Sequence, residues 1–145
     1  MDPLDYVEQL LKESVSRRVS DLYLVPMSRE YDIRARINGT QQKWARVPAD
    51  FGQKCVNAIK ARANLLTYKS MISQDGSLSD VPGAEVRVAV IPTINGERVT
   101  MRFMMDITGP KMLEELHYPK HVTQTLKEVI NKRSGMIVLT GPTGS

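Results

Sequence analysis

The chain has 145 residues with 41% hydrophobic and 25% charged content, the ordinary balance of one compact domain with a short appendage. Its longest apolar runs, such as Met136 to Leu139, are far too short to cross a bilayer, and Met1-Asp2-Pro3 does not resemble the start of a signal peptide, so a cytosolic chain is expected. The net charge of +4 permits weak attraction to nucleic acid or acidic lipid without requiring either, because the basic residues are scattered.

The first third of the chain predicts a helix followed by strands. Apolar residues spaced three or four apart predict a helix over residues 4–18 that starts at Asp2-Pro3. Residues 21–26 predict a strand. Alternating residues 31–37 lead through the turn signal Asn38-Gly39 into a further strand, which predicts a hairpin.

A second amphipathic helix is predicted over residues 50–66, where apolar residues recur at helical intervals. Cys55 falls on its apolar side and is the only cysteine in the chain, which excludes an intrachain disulfide. We interpret Cys55 as a core residue rather than a nucleophile.

Turn signals at Gln74-Asp75-Gly76 and Pro82-Gly83 bracket a short predicted strand around Leu78. A second hairpin follows, in which residues 85–91 alternate and Asn95-Gly96 is the turn before residues 98–104. These elements predict a layered α+β domain over residues 1–105.

The sequence pattern changes after residue 105. Residues 106–118 contain a Thr-Gly-Pro break and a short helix, and they are predicted to be a linker. An amphipathic helix follows Pro119, and residues 136–140 predict an apolar strand. His117 and His121 are interpreted as surface residues, since a metal site needs three or four converging ligands.

The glycine-rich end of the chain matches the opening of a phosphate-binding loop. Five residues match the first five of the eight positions of G-x-x-x-x-G-K-[ST]: Gly141, Pro142, Thr143, Gly144 and Ser145. In such a loop the glycines let successive backbone N–H groups converge on phosphate oxygens. The pentapeptide alone also suits a flexible glycine-rich terminus; the strand predicted before it favours the loop.

Several segments together resemble the GspE-like secretion ATPases, which include the PilB and PilT motors. The resemblance covers nearly the whole chain, and its segments follow the family's order and spacing: Ser20 to Leu24, Arg36 to Gly39, Gln74 to Gly76, Glu85 to Arg102 and Gly135 to Ser145. The chain departs from the family's pattern at Tyr23, Val25 and Ser77, where His, Glu and Arg are usual.

This resemblance implies a PAS-like N-terminal domain with an antiparallel sheet and packed helices, followed from residue 119 by the first helix and strand of a RecA-like P-loop domain. It implies a motor that works as a homo-hexamer in type II secretion, type IV pilus or competence systems. It also implies that the intact protein uses ATP and Mg. The match stops inside the loop, before its lysine and Ser/Thr, so the resemblance implies truncation and a piece that neither hydrolyses ATP nor binds it tightly.

In the family, two arginines of the N-terminal domain reach towards the nucleotide phosphates, and by motif position these are Arg87 and Arg102. Alternation alone favours a different interpretation, in which both arginines belong to the solvated face of a half-exposed hairpin. The planar, permanently charged guanidinium is suited to phosphate, and the resemblance favours that role for this pair but not for Arg98.

The resemblance further implies that the protein is cytoplasmic and held at the inner face of the plasma membrane by partners: an inner-membrane assembly platform and cytoplasmic adaptor proteins. A second hypothesis is a non-enzymatic adaptor that docks on motor subunits or on the platform. A third is a basic nucleic-acid-binding domain with salt-sensitive DNA binding. Without an aromatic cluster no direct nucleic-acid contact is expected, and Trp44 is interpreted as a packing residue.

Overall fold

The computed structural model describes residues 2–105 and 112–141. These form two compact units, one with residues 2–105 and the other with residues 112–141. The first unit contains two helices and six strands: α1 (Pro3–Ser16), β1 (Asp21–Pro26), β2 (Glu30–Ile37), β3 (Thr40–Pro48), α2 (Ala49–Arg62), β4 (Gln74–Leu78), β5 (Ala84–Thr93) and β6 (Gly96–Met105).

The six strands form one sheet in the order β3-β2-β1-β6-β5-β4, and every neighbouring pair is antiparallel. Two hairpins, β2–β3 and β5–β6, are joined through β1, which pairs with both. The predicted α+β class with an antiparallel sheet is therefore confirmed.

Local hydrogen bonds and backbone conformation explain where α1 begins and where α2 ends. The carboxylate of Asp2 accepts a hydrogen bond from the backbone N–H of Leu4 at 3.0 Å and caps α1, whose first residue is Pro3. α2 ends at Arg62, four residues before the predicted end. Asn64 has a φ of 56°, which reverses the chain, and the N–H of Leu66 then bonds to the side chain of Gln74.

The core lies between the two helices and one face of the sheet, here called the inner face. Alternation in the strands and helical spacing in α1 and α2 supply its buried side chains, which include Leu11, Leu22, Ile33, Cys55, Ile59, Val86 and Met101. Cys55 is 1% exposed, and burial, aided by the charge of Asp2, raises the pKa of its thiol to about 11. Such a thiol is an inert core group.

Two predicted turns are placed differently in the structure. Gln74-Asp75-Gly76 belongs to edge strand β4, because pairing with β5 overrides its local turn preference. A side chain at Gly76 would lie 2.8 Å from the carbonyl oxygen of Ala63, so only glycine allows this close approach. The turn of the second hairpin is Ile94-Asn95, and Gly96 already pairs with Thr93.

The second unit contains a 3₁₀ turn (Leu113–Leu116) and α3 (Lys120–Ile130). The strand predicted over residues 136–140 is not formed: residues 135–141 take no regular structure, and their side chains are exposed. A strand forms only beside a partner, and residues 112–141 include no other strand to pair with it.

Candidate functional site

The face of the sheet opposite the core, here called the outer face, carries a group of charged side chains from all six strands. In β5 and β6, the alternation that buries valines, Met101 and Phe103 on the inner face turns polar residues outward. Seven basic side chains are placed there by strand register: Arg34, Arg36, Lys43, Arg46, Arg87, Arg98 and Arg102.

One row of residues crosses the outer face at right angles to the strands. Arg87 on β5 lies directly opposite Arg102 on β6, which lies opposite Asp21 on β1, which lies opposite Arg36 on β2. Neighbouring strands are about 4.8 Å apart, so each member is within side-chain reach of the next. The structure thus brings the two arginines predicted from sequence side by side.

Arg87 and Arg102 differ in their ion-pair partners. The Nε of Arg102 donates to Oδ1 of Asp21 at 3.0 Å, while its side chain stays 65% exposed. Arg87 is exposed and forms no ion pair with any residue that the structure describes. Like charges directly opposite each other in a sheet are destabilising, and an anion placed between the two guanidinium groups would reduce their repulsion.

Asp21 is the anionic centre of the row and was not identified from sequence. Its side chain is 8% exposed, and its Oδ2 accepts from the hydroxyl of Ser20 at 3.0 Å and lies 3.5 Å from Nε of Arg36. Arg36 also donates to the hydroxyl of Tyr23. The guanidinium of Arg98 lies 5.7 Å from the centre of the Tyr23 ring, outside this row.

A second basic group lies at the β2–β3 end of the outer face. A β-bulge at Trp44 inserts one residue into β3, so Lys43 and Arg46 share a face that strict alternation would have split between them. Burial disfavours the charge on Asp32, but the hydrogen bond and charge of Arg34, helped by the charges of Arg46 and Lys43, hold the pKa of this carboxyl below its ordinary value.

A buried ion pair joins α2 to the start of β6. Nζ of Lys60 lies 2.7 Å from Oε1 of Glu97, and the two side chains are 0% and 3% exposed. Lys60 also donates to the carbonyl of Lys69 at 2.8 Å, and Gln53 donates to Oε2 of Glu97 at 3.1 Å. Tyr31 donates to Gln53 at 2.9 Å, which completes the network.

Sequence reasoning missed this pair, although a signal was present. Lys60 interrupts the apolar side of α2 four residues after Val56, and Glu97 occupies an inner-face position two residues before Val99. Two opposite charges at core positions of different elements predict a buried pair.

The residues of the predicted phosphate-binding loop fall largely outside the described part of the chain. Gly141 is described as exposed and without regular structure, whereas Pro142, Thr143, Gly144 and Ser145 lie outside the described residues. The backbone arrangement that would bind phosphate therefore stays a prediction. No helix in the described residues is long and apolar enough to span a bilayer.

Comparisons with known proteins agree with this fold. The chain is 28% identical over 143 residues to the type IV pilus assembly ATPase PilB of Thermus thermophilus, covering 97% of this chain and 16% of that protein. It is 30% identical over 142 residues to type II secretion system protein E of Pseudomonas aeruginosa, covering 96% of this chain and 28% of that protein. The chain thus spans less than a third of the length of either relative.

A crystal structure of the pilus retraction motor PilT with bound ADP has a TM-score of 0.52 and 20% identity, over 95% of this chain and 38% of that one. At this identity the likeness shows a shared fold. A family model described as type II/IV secretion system protein matches residues 3–145. The chain therefore belongs to the type II/IV secretion system protein family.

Proposed function

We propose that the first unit is the phosphate-contacting N-terminal domain of a motor ATPase that powers pilus or pseudopilus assembly, and that it presents Arg87 and Arg102 to bound nucleotide. In this proposal residues 1–105 are that domain, residues 106–118 are a linker, and residues 119–145 begin a RecA-like ATPase domain. The intact protein uses ATP and Mg and acts as a hexamer against an inner-membrane assembly platform.

The observation that carries this proposal is the opposed pair Arg87 and Arg102. Two guanidinium groups on adjacent strands repel each other, and only Arg102 of the two forms an ion pair with Asp21 among the described residues. A phosphate group offers several oxygens to such a pair and can accept two parallel hydrogen bonds from one guanidinium. The relatives are named as pilus assembly ATPases and secretion proteins, and the similar PilT structure is described as holding ADP.

The arginines would act by stabilising negative charge that develops on the transferred phosphoryl group. They are held on a sheet rather than on a loop, so their spacing is fixed before nucleotide arrives. Closure of this domain over the nucleotide would then depend on whether the terminal phosphate is present.

The experiment is steady-state ATP hydrolysis by the protein encoded by the complete gene, comparing wild type with Arg87→Gln, Arg102→Gln and the control Arg98→Gln. We expect each of the first two variants to lower kcat by about 100-fold, as removal of a charge-stabilising donor does. Arg98 lies on the same face outside the opposed pair, so its variant should retain wild-type kcat.

Circular dichroism and a denaturation midpoint would establish that all three variants fold. Wild-type turnover in both Arg87→Gln and Arg102→Gln would contradict the assigned role. A loss of equal size in Arg98→Gln would show that the whole charged face matters, and would contradict the specific pair.

A further inference from the structure

The contact between Asp21 and Arg102 uses only one edge of the guanidinium. Nε of Arg102 donates to Oδ1 of Asp21 at 3.0 Å. Arginine has five N–H donors, and the two terminal nitrogens form a second edge that can bind a phosphate bidentately. An arginine held through Nε therefore keeps its phosphate-binding edge available.

The two partners also differ in exposure. Asp21 is 8% exposed in its side chain, is fixed by the hydroxyl of Ser20 and lies on a central strand, whereas Arg102 is 65% exposed. A long exposed side chain samples many rotamers unless something holds it. The carboxylate is thus the rigid partner, and it restricts the direction in which the guanidinium points.

From this geometry we propose that Asp21 is a positioning residue that orients Arg102 for phosphate contact. The inference rests on the proposed function of Arg87 and Arg102. Asp21 does not touch the phosphate; it acts through Arg102. Arg87 lacks such a partner among the described residues, so the two arginines should respond differently to loss of this carboxylate.

For the variant Asp21→Asn, the proposal predicts a change in anion affinity that is opposite in direction to the change expected from charge alone. Asp21→Asn removes one negative charge from the outer face, which by Coulomb's law alone should strengthen anion binding. If Asp21 positions Arg102, the same substitution weakens binding, because the guanidinium must be ordered when the anion binds. Asp75→Asn is the matched control, since Asp75 faces the same side from β4 and forms no ion pair with a described residue.

The experiment titrates the 145-residue chain, labelled with ¹⁵N-arginine, with tripolyphosphate and follows the Nε–Hε resonances by NMR. The Arg102→Lys spectrum lacks one signal and so assigns Arg102. We expect Asp21→Asn to shift the Arg102 signal in the free protein and to weaken binding about threefold or more, while Asp75→Asn leaves binding unchanged or slightly tighter. Backbone amide spectra report whether each variant is folded.

The outcomes separate this inference from the function on which it rests. If Arg87→Gln and Arg102→Gln weaken tripolyphosphate binding but Asp21→Asn strengthens it, the positioning role is wrong and the phosphate role stands. If neither arginine variant changes binding, both fail.

Should Asp21→Asn not fold, lysine variants decide the question. Lysine has one nitrogen and cannot contact Asp21 and phosphate through separate edges. Arg102→Lys should then lose more affinity than Arg87→Lys, and equal losses would overturn the proposal.

Discussion

At the scale of single residues, Gly52 lets α2 approach Tyr31 of β2 closely. A Cβ at this position would lie 2.5 Å from Cγ of Tyr31 and 2.8 Å from its Cβ. Tyr31 cannot easily move, because it is 2% exposed and its hydroxyl donates to Gln53 at 2.9 Å. Glycine is therefore required by packing, although glycine weakens a helix interior.

We expect Gly52→Ala to destabilise the chain. Alanine favours the helix by up to about 1 kcal/mol, but overpacking a tight site costs about 1–3 kcal/mol, so the clash should prevail. The measurement is the free energy of unfolding from urea denaturation. In a Tyr31→Leu background the same substitution should become neutral or stabilising; a loss that persists there would show that Tyr31 is not the cause.

Single residues also show which structural features can be predicted from sequence and which cannot. Alternation within β5 and β6 predicted that Arg87 and Arg102 share an exposed face, because that pattern is local. The contact of Arg102 with Asp21 joins residues 81 positions apart. Such a contact depends on which strands become neighbours, and no local pattern in β1 or β6 specifies that they pair.

At the scale of elements, the hairpins were predictable and their surroundings were less so. Asn38-Gly39 adopts positive φ at both residues, as the tight hairpin turn demands, and this signal placed β2 and β3 correctly. The end of α2 and the strand β4 were misplaced. Both depend on Gln74, whose side chain bonds to the backbone of the loop that follows α2.

The ion pair of Lys60 with Glu97 connects α2 to the β5–β6 hairpin, and its contribution to folding stability can be measured. Removing one member of a buried pair leaves an uncompensated charge, so Lys60→Met or Glu97→Leu alone should cost about 3–5 kcal/mol of folding stability. The double variant should cost less than the sum, since it leaves neither charge behind. A double-mutant cycle from urea denaturation measures the coupling.

The control for this cycle is the ion pair of Glu8 with Lys12 on α1, in which both side chains are more than half exposed at 67% for Lys12 and 53% for Glu8. Water screens that pair, so its removal should change stability far less. Additive losses at Lys60 and Glu97 would contradict the description of the two as one coupled pair.

At the scale of the whole molecule, membership of the secretion family was predictable because its motifs occur in a fixed order along the chain. The backbone arrangement expected of a phosphate-binding loop could not be derived from local sequence, because it depends on a strand and a loop held by neighbouring strands. In the described residues, Met136 to Leu139 form an apolar run whose side chains are 45% to 86% exposed. A parallel strand of an α/β sheet is normally buried on both faces.

This exposed run leads to a prediction about the gene. Its four apolar side chains would be buried if further strands paired beside this run and helices covered both faces of that sheet, and the family relatives are several times longer than this chain. We expect the reading frame after Ser145 to continue with Gly-Lys followed by Ser or Thr, and then with a helix. Further along, we expect a strand that ends in an acidic residue able to bind Mg. Sequencing the following codons is the measurement. A stop codon there would contradict the motor and favour a non-enzymatic adaptor, because no lysine would reach the terminal phosphates and no hydroxyl would hold the metal.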